Sequence, residues 1–63
     1  MLIDRTTYDQ LQRSLYDSTA NVDLRPSDHD HTYTSLMING IHIDDFQTYT
    51  DALNFVVFMV NEY

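Results

Sequence analysis

The stretch Leu36-Met37-Ile38-Asn39-Gly40-Ile41-His42-Ile43 is the strongest local signal in the chain, because it places an Asn-Gly pair between two apolar runs rich in isoleucine. A two-residue type I′ turn needs positive φ angles at both central positions, and Asn and Gly adopt them readily. We therefore predict a β-hairpin in which Ile38 pairs with Ile41 and Leu36 with Ile43. These four aliphatic side chains would share one face and enter the core. The opposite face would meet water and carries Tyr33, Ser35, Met37 and His42.

The segment before the hairpin, from Asp4 to about Asp17, has the periodicity of an amphipathic helix. Its apolar positions recur at i, i+3 and i+7 and are Tyr8, Leu11 and Leu15. Asp9 and Asp17 fall on the opposite side. Either Asp4 or Thr6 can cap the N-terminus of this first helix, since both side chains carry an oxygen that accepts from a free backbone amide.

Between Ser18 and His31 the composition is that of a loop, with Ser, Asn, Asp and Pro dominant. Within it, Asn21 to Arg25 alternates polar residues with Val22 and Leu24, which allows a short edge strand. Pro26 would end that strand because it lacks a backbone donor.

The last segment, Asp44 to Tyr63, opens with two acidic residues suited to a helix N-terminus and predicts a second helix. The stripe expected to face the hairpin consists of Phe46, Tyr49, Leu53, Val57 and Val60. The side chains expected to project away from it are Phe55, Phe58 and Met59. They would form a self-association surface or a docking surface for a partner, since exposed apolar patches are uncommon on monomers. A strand over Phe55 to Val60 is the alternative, given its Val and Phe content.

These elements predict a single domain over residues 1–63 of the α+β class: a small two-layer domain of helix, β-hairpin, a third short strand if the edge strand forms, and helix. The chain has 63 residues and no cysteine, so its core is thin and no disulfide supports it. We therefore expect a homodimer. The N-terminus lacks the pattern of a signal peptide and no apolar run approaches the length of a membrane span, so we expect a cytoplasmic protein that does not contact membranes.

The charge balance is strongly acidic. Ten carboxylates face three arginines and no lysine, which gives a net charge of −7. Such a surface repels nucleic acid and attracts basic partners, although acidity can also serve solubility alone. Duplex DNA carries one charge per ~1.7 Å of axis, so seven excess charges correspond to about 12 Å of duplex. The candidate acidic binding residues are Asp9, Asp17, Asp23, Asp28, Asp30, Asp44, Asp45 and Asp51.

The sequence gives little sign of a metal-binding or catalytic site. Asp28-His29-Asp30-His31 holds four side chains that can ligate metals, but an extended backbone directs the histidines and the aspartates to opposite sides. We interpret it as a solvated loop and predict no metal site. The only glycine is used by the hairpin, which leaves no phosphate-binding loop. A domain this small also offers few walls for a catalytic cleft. We therefore expect no cofactor and no enzymatic activity.

The five tyrosines fall into two groups. Tyr8 and Tyr49 lie on the predicted helix stripes and should be buried. Tyr16, Tyr33 and Tyr63 are candidates for a contact surface, because aromatic side chains are favoured at the centres of interfaces.

In size, aspartate excess, lack of cysteine and its apolar second helix, the chain resembles the small acidic proteins that bacteriophages make to occupy the DNA-binding surface of a host protein. This resemblance implies an inhibitor in the host cytoplasm that presents carboxylates in place of DNA phosphates. Its partner would be a basic DNA-binding protein such as a nucleoid protein, a polymerase or a nuclease, and it would not bind nucleic acid itself. The alternative is an interaction module that docks through Phe55, Phe58 and Met59.

Overall fold

The computed structural model describes residues 2–63, which form two helices and one three-stranded sheet. In chain order the elements are α1 (Arg5–Tyr16), β1 (Val22–Pro26), β2 (Thr34–Ile38), β3 (Ile41–Phe46) and α2 (Tyr49–Asn61). The sheet is antiparallel throughout, in the order β1-β2-β3. Tyr8 and Leu11 of α1 and Met59 of α2 share one buried cluster with the sheet residues Leu36, Ile38 and Ile43. Both helices therefore pack on the same sheet face, and the predicted two-layer α+β domain is confirmed, including the edge strand.

The predicted Asn-Gly turn is confirmed between the end of β2 and the start of β3. Asn39 and Gly40 have φ angles of 54° and 79°, and Ile38 pairs with Ile41 across the turn. Asn39 also holds the turn against the entry to β1. Its backbone amide donates to the Asn21 carbonyl oxygen at 2.8 Å, and its side-chain oxygen accepts from the Asn21 amide at 2.8 Å.

Beyond the turn, β3 carries one extra residue, so the predicted pairing of Leu36 with Ile43 is wrong. Met37 pairs with His42, but Leu36 pairs with Asp44, which leaves Ile43 as the additional residue of a β-bulge. Ile43 is still fully buried. Because side chains alternate along a strand, each β3 residue after the bulge points to the opposite side of the sheet from the side that the predicted register gave it. Asp45 is thereby turned away from the helices.

Helix α1 forms as its periodicity predicts. Asp4 is the N-cap and accepts from the Thr7 amide at 2.8 Å. Tyr8 and Leu11 are buried and Leu15 packs at the edge of the core. Gln12 is buried as well, and its side-chain amide donates to the Met59 carbonyl oxygen at 2.8 Å. This hydrogen bond joins the two helices.

Helix α2 begins later than predicted. Asp44 and Asp45 belong to β3, and the helix starts at Tyr49, with Thr48 as its N-cap accepting from the Asp51 amide at 3.1 Å. The alternative strand over 55–60 is not adopted, since α2 runs without interruption to Asn61.

The rotation of α2 about its axis also differs from the prediction. Of the stripe expected in the core, Tyr49, Leu53 and Val57 are 59%, 40% and 55% exposed. The side that faces the sheet instead carries Ala52, Phe55, Val56 and Met59. The physical reason lies in the bulge, which directs Phe46 toward the helices, where its ring centroid lies 5.4 Å from that of Phe55. That contact sets which side of α2 meets the sheet.

Replacing Gly40 by alanine should destabilise the domain through the backbone alone. A Cβ atom at this position would meet nothing within 4 Å, so sterics with neighbours are not involved. The φ of 79° is unfavourable for alanine, and we expect a loss of about 1 kcal/mol. Urea unfolding would show it as a lower midpoint at unchanged slope. An unaltered midpoint would contradict the turn geometry described here.

Candidate interaction surfaces

The sheet face opposite the helices, which we call the outer sheet face, is polar. Residues paired across neighbouring strands point to the same side, and this gives two cross-strand rows. One row is Asp23, Met37 and His42, and the other is Arg25, Ser35 and Asp45. The helices pack on the other side of the sheet. The outer sheet face is therefore available for contact with another molecule.

An open groove of about 270 Å³ lies on the outer sheet face, beside the connection from β1 to β2. Its lining includes Arg25, His29, Met37 and His42. The connection is folded by its own hydrogen bonds: the Ser27 amide donates to the Tyr33 carbonyl oxygen at 3.0 Å. This groove was not predicted from the sequence, because the loop that forms one wall has no regular pattern.

Asp45 has two hydrogen-bond partners on this face, Ser35 and His42. Its Oδ1 accepts from the Ser35 hydroxyl at 2.5 Å and lies 2.9 Å from His42 Nε2. The hydrogen bond from Ser35, followed by that from His42, lowers the pKa of Asp45. Because the Ser35 hydroxyl donates to the carboxylate, the cluster is not arranged as an imidazole activating a serine. It keeps a negative charge on the outer sheet face.

The three arginines each pair with a nearby aspartate. Two pairs lie on α1 at i,i+4 spacing and one lies on β1; they are Arg5–Asp9 at 3.1 Å, Arg13–Asp17 at 3.0 Å and Arg25–Asp23. The i,i+4 spacing was readable in the sequence and would have predicted the first two pairs. The net negative charge of the protein thus resides on its other carboxylates.

Those other acidic candidates occupy three places. Asp28 and Asp30 are exposed in the β1–β2 connection, Asp51 is exposed in the first turn of α2, and Asp44 is half-buried in β3, where it accepts from the Asp45 amide. Hydrogen bonds from Thr32 lower the pKa of Asp30. The fold therefore divides the eight predicted acidic residues between the sheet layer and the helices.

The loop Asp28 to His31 is exposed throughout. Across residues 2–63 no three or more His, Asp or Glu side chains are grouped closely enough to hold a metal ion.

The three residues predicted to project from α2 differ in their exposure. Met59 is fully buried between the helices and the sheet, so its assignment to a docking surface is wrong. Phe55 is half-buried against Phe46, and Phe58 is 52% exposed. The exposed apolar line on this helix is instead Tyr49, Leu53 and Val57, which we call the α2 outer stripe.

Neither helix in residues 2–63 has the length and apolar character that a membrane span needs.

The tyrosines also divide differently from the prediction. Tyr8 is buried as expected, but Tyr49 is exposed. Tyr16, Tyr33 and Tyr63 are exposed. The rings of Tyr16 and Tyr63 lie 4.6 Å apart, with the Arg13 guanidinium 5.9 Å from the Tyr63 ring centroid, so the C-terminal ends of both helices meet in an aromatic contact.

Comparison with known proteins adds no relative: no protein-family model, no curated protein and no solved structure matches this chain.

Replacing Ser35 by alanine should raise the pKa of Asp45 toward its ordinary value, because the hydroxyl is the main group that stabilises the carboxylate. A carboxyl whose pKa is depressed by folding adds stability above its unfolded pKa, and this stability is lost as the pH falls through the folded value. The variant should therefore lose less stability on acidification than the wild type. Carbon-detected NMR titration of Asp45 measures the shift directly, and His42→Gln should raise the pKa by a smaller amount. An Asp45 pKa that Ser35→Ala leaves unchanged would show that the hydroxyl does not hold the carboxylate.

Proposed function

We propose that this protein binds a basic, DNA-binding protein by presenting carboxylates where that protein would otherwise meet DNA phosphates. The observation that supports the proposal is the pairing of all three arginines with aspartates. Each is held in a pair with an aspartate on its own helix or strand, and the chain has no lysine. A chain with net charge −7 therefore offers other molecules carboxylates and few cations of its own.

Electrostatic attraction of this kind acts at long range and raises the rate of encounter with a positive surface. The sheet layer contributes Asp28, Asp30 and Asp45 to the field, and α2 contributes Asp51. Hydrogen bonds lower the pKa of Asp30 and Asp45, so both carboxylates stay ionised to a lower pH than an ordinary aspartate does. The same field repels nucleic acid, so the proposed role is to compete with DNA for a protein. The chain would act in the cytoplasm of the cell that contains this partner, a host cell if a phage encodes it.

A second candidate function is an interaction module that docks through apolar contacts, with the acidity serving solubility. The exposed Tyr49, Leu53 and Val57 favour it, because three large apolar side chains in line on one helix form a continuous patch. The two functions differ in their response to charge. Binding through carboxylates weakens as salt rises, whereas binding through an apolar patch does not.

The partner can be isolated from a bacterial lysate on immobilised protein and eluted with a rising salt gradient. Under the proposal a DNA-binding protein elutes at moderate salt, and duplex DNA added to the lysate prevents its capture. Retention at high salt, or capture that DNA does not affect, would favour the apolar module instead.

The ion pairs of α1 allow a matched test of the role of charge. Asp9→Asn with Asp17→Asn changes the net charge from −7 to −5, whereas Arg5→Gln with Arg13→Gln changes it from −7 to −9. Both double variants lose the same two surface pairs, and the arginine variant also loses the contacts of Arg5 with the Tyr8 ring and of Arg13 with the Tyr63 ring. Circular dichroism of both variants establishes that each is folded before binding is compared. At low salt we expect the first to weaken binding of the captured partner about tenfold and the second to strengthen it, since each exposed charge contributes up to about 1 kcal/mol.

Isothermal titration of both variants against the captured protein gives the comparison. If the two variants bind with equal affinity, whether reduced or not, net charge does not drive the association and the proposal is wrong.

A further inference from the structure

We infer that the α2 outer stripe is the interface of a homodimer, in which α2 of one copy packs antiparallel against α2 of a second copy. The inference does not depend on binding through carboxylates, but it assigns to a second copy the same Tyr49, Leu53 and Val57 that the apolar interaction module would use. It also moves the self-association surface that the sequence suggested, from Phe55, Phe58 and Met59 to a different side of α2.

The stripe has the geometry of a helix-packing ridge. Tyr49, Leu53 and Val57 stand at i, i+4 and i+8, and they remain 59%, 40% and 55% exposed after the domain has folded. Rows of residues at i±4 spacing are the ridges that fit into the grooves of another helix. Val60 lies at the end of the same side and is half-buried. With 13 residues, α2 is about 20 Å long at 1.5 Å per residue, and the stripe runs along most of it.

The absence of charge on this surface favours a second copy as its occupant. Between Ala52 and Asn61 the helix carries no charged residue, and the exposed polar residues that flank the stripe, Thr50, Asn54 and Asn61, are neutral. The two acids at the ends of the helix, Asp51 and Glu62, lie about 160° to 180° around the axis from Leu53 at about 100° per residue. In a protein of net charge −7, this is a surface on which two copies can meet without placing carboxylates against each other.

A basic partner would find no carboxylate to pair with on this surface, whereas a second copy needs only complementary apolar shape. Antiparallel pairing about a two-fold axis satisfies that need, because each stripe then meets its own copy in reverse. Leu53 would lie near the axis, and Tyr49 of one copy would cover Val57 of the other.

The test is sedimentation equilibrium of the full chain over a range of micromolar concentrations, with two variants at neighbouring positions. Val57 and Phe58 are 55% and 52% exposed but point in directions about 100° apart around the helix. Val57→Glu should raise the dimer dissociation constant at least tenfold, and Phe58→Glu should leave the dimer intact. Circular dichroism establishes that each variant is folded. If Val57→Glu does not fold, Tyr49→Ser replaces it, and dimer loss is again the expected result.

Salt separates this inference from the proposed function. Added salt screens the repulsion between two acidic copies and should strengthen the dimer, while it should weaken binding to a basic protein. A wild-type chain that is monomeric at every concentration would overturn the inference. So would a dimer that Phe58→Glu disrupts as strongly as Val57→Glu, or one that Tyr49→Ser leaves unchanged when Val57→Glu does not fold.

Discussion

The β-bulge at Ile43 is the constraint on which the arrangement of this domain depends. One residue more in β3 than in β2 lets Ile43 fill the core and reverses the facing of the strand after it. Asp45 then joins Ser35 and His42 on the outer sheet face, and Phe46 turns toward Phe55. Without the bulge, the phenyl ring of Phe46 would point into water and the contact with Phe55 would be lost, which removes apolar burial from the domain.

The two exposed surfaces follow from that choice. Because Phe46 fixes Phe55 against the sheet, α2 buries Ala52, Val56 and Met59 and leaves its other side exposed. The core of so short a chain is complete with those contacts, so the apolar residues that remain on α2 have no place inside the domain. Most carboxylates lie elsewhere, on the outer sheet face, in the β1–β2 connection and along α1, while Asp51 lies in the first turn of α2. Acidic and apolar surfaces are thereby separated, and each can serve a different kind of contact.

The sequence predicted those parts of the fold that depend on local chemistry. The Asn39-Gly40 turn, the helix capped by Asp4 and the strand ended by Pro26 were all predictable, because each is specified by neighbouring residues. The rotation of α2 was not, since an apolar helix has no single stripe, and its buried side depends on tertiary contacts such as that of Phe55 with Phe46 and the burial of Met59 in the core. The bulge was equally unpredictable, because alternation alone gives no sign of an inserted residue. The acidic character was evident from composition, but its division between two layers required the fold.

We propose that this acidic protein recognises a basic DNA-binding partner through charge. The dissociation constant of the purified complex, measured as a function of salt concentration, tests this proposal. Recognition through charge predicts a steep loss of affinity as salt rises, because screening shortens the reach of every exposed carboxylate. An affinity that stays constant from low to high salt would contradict it.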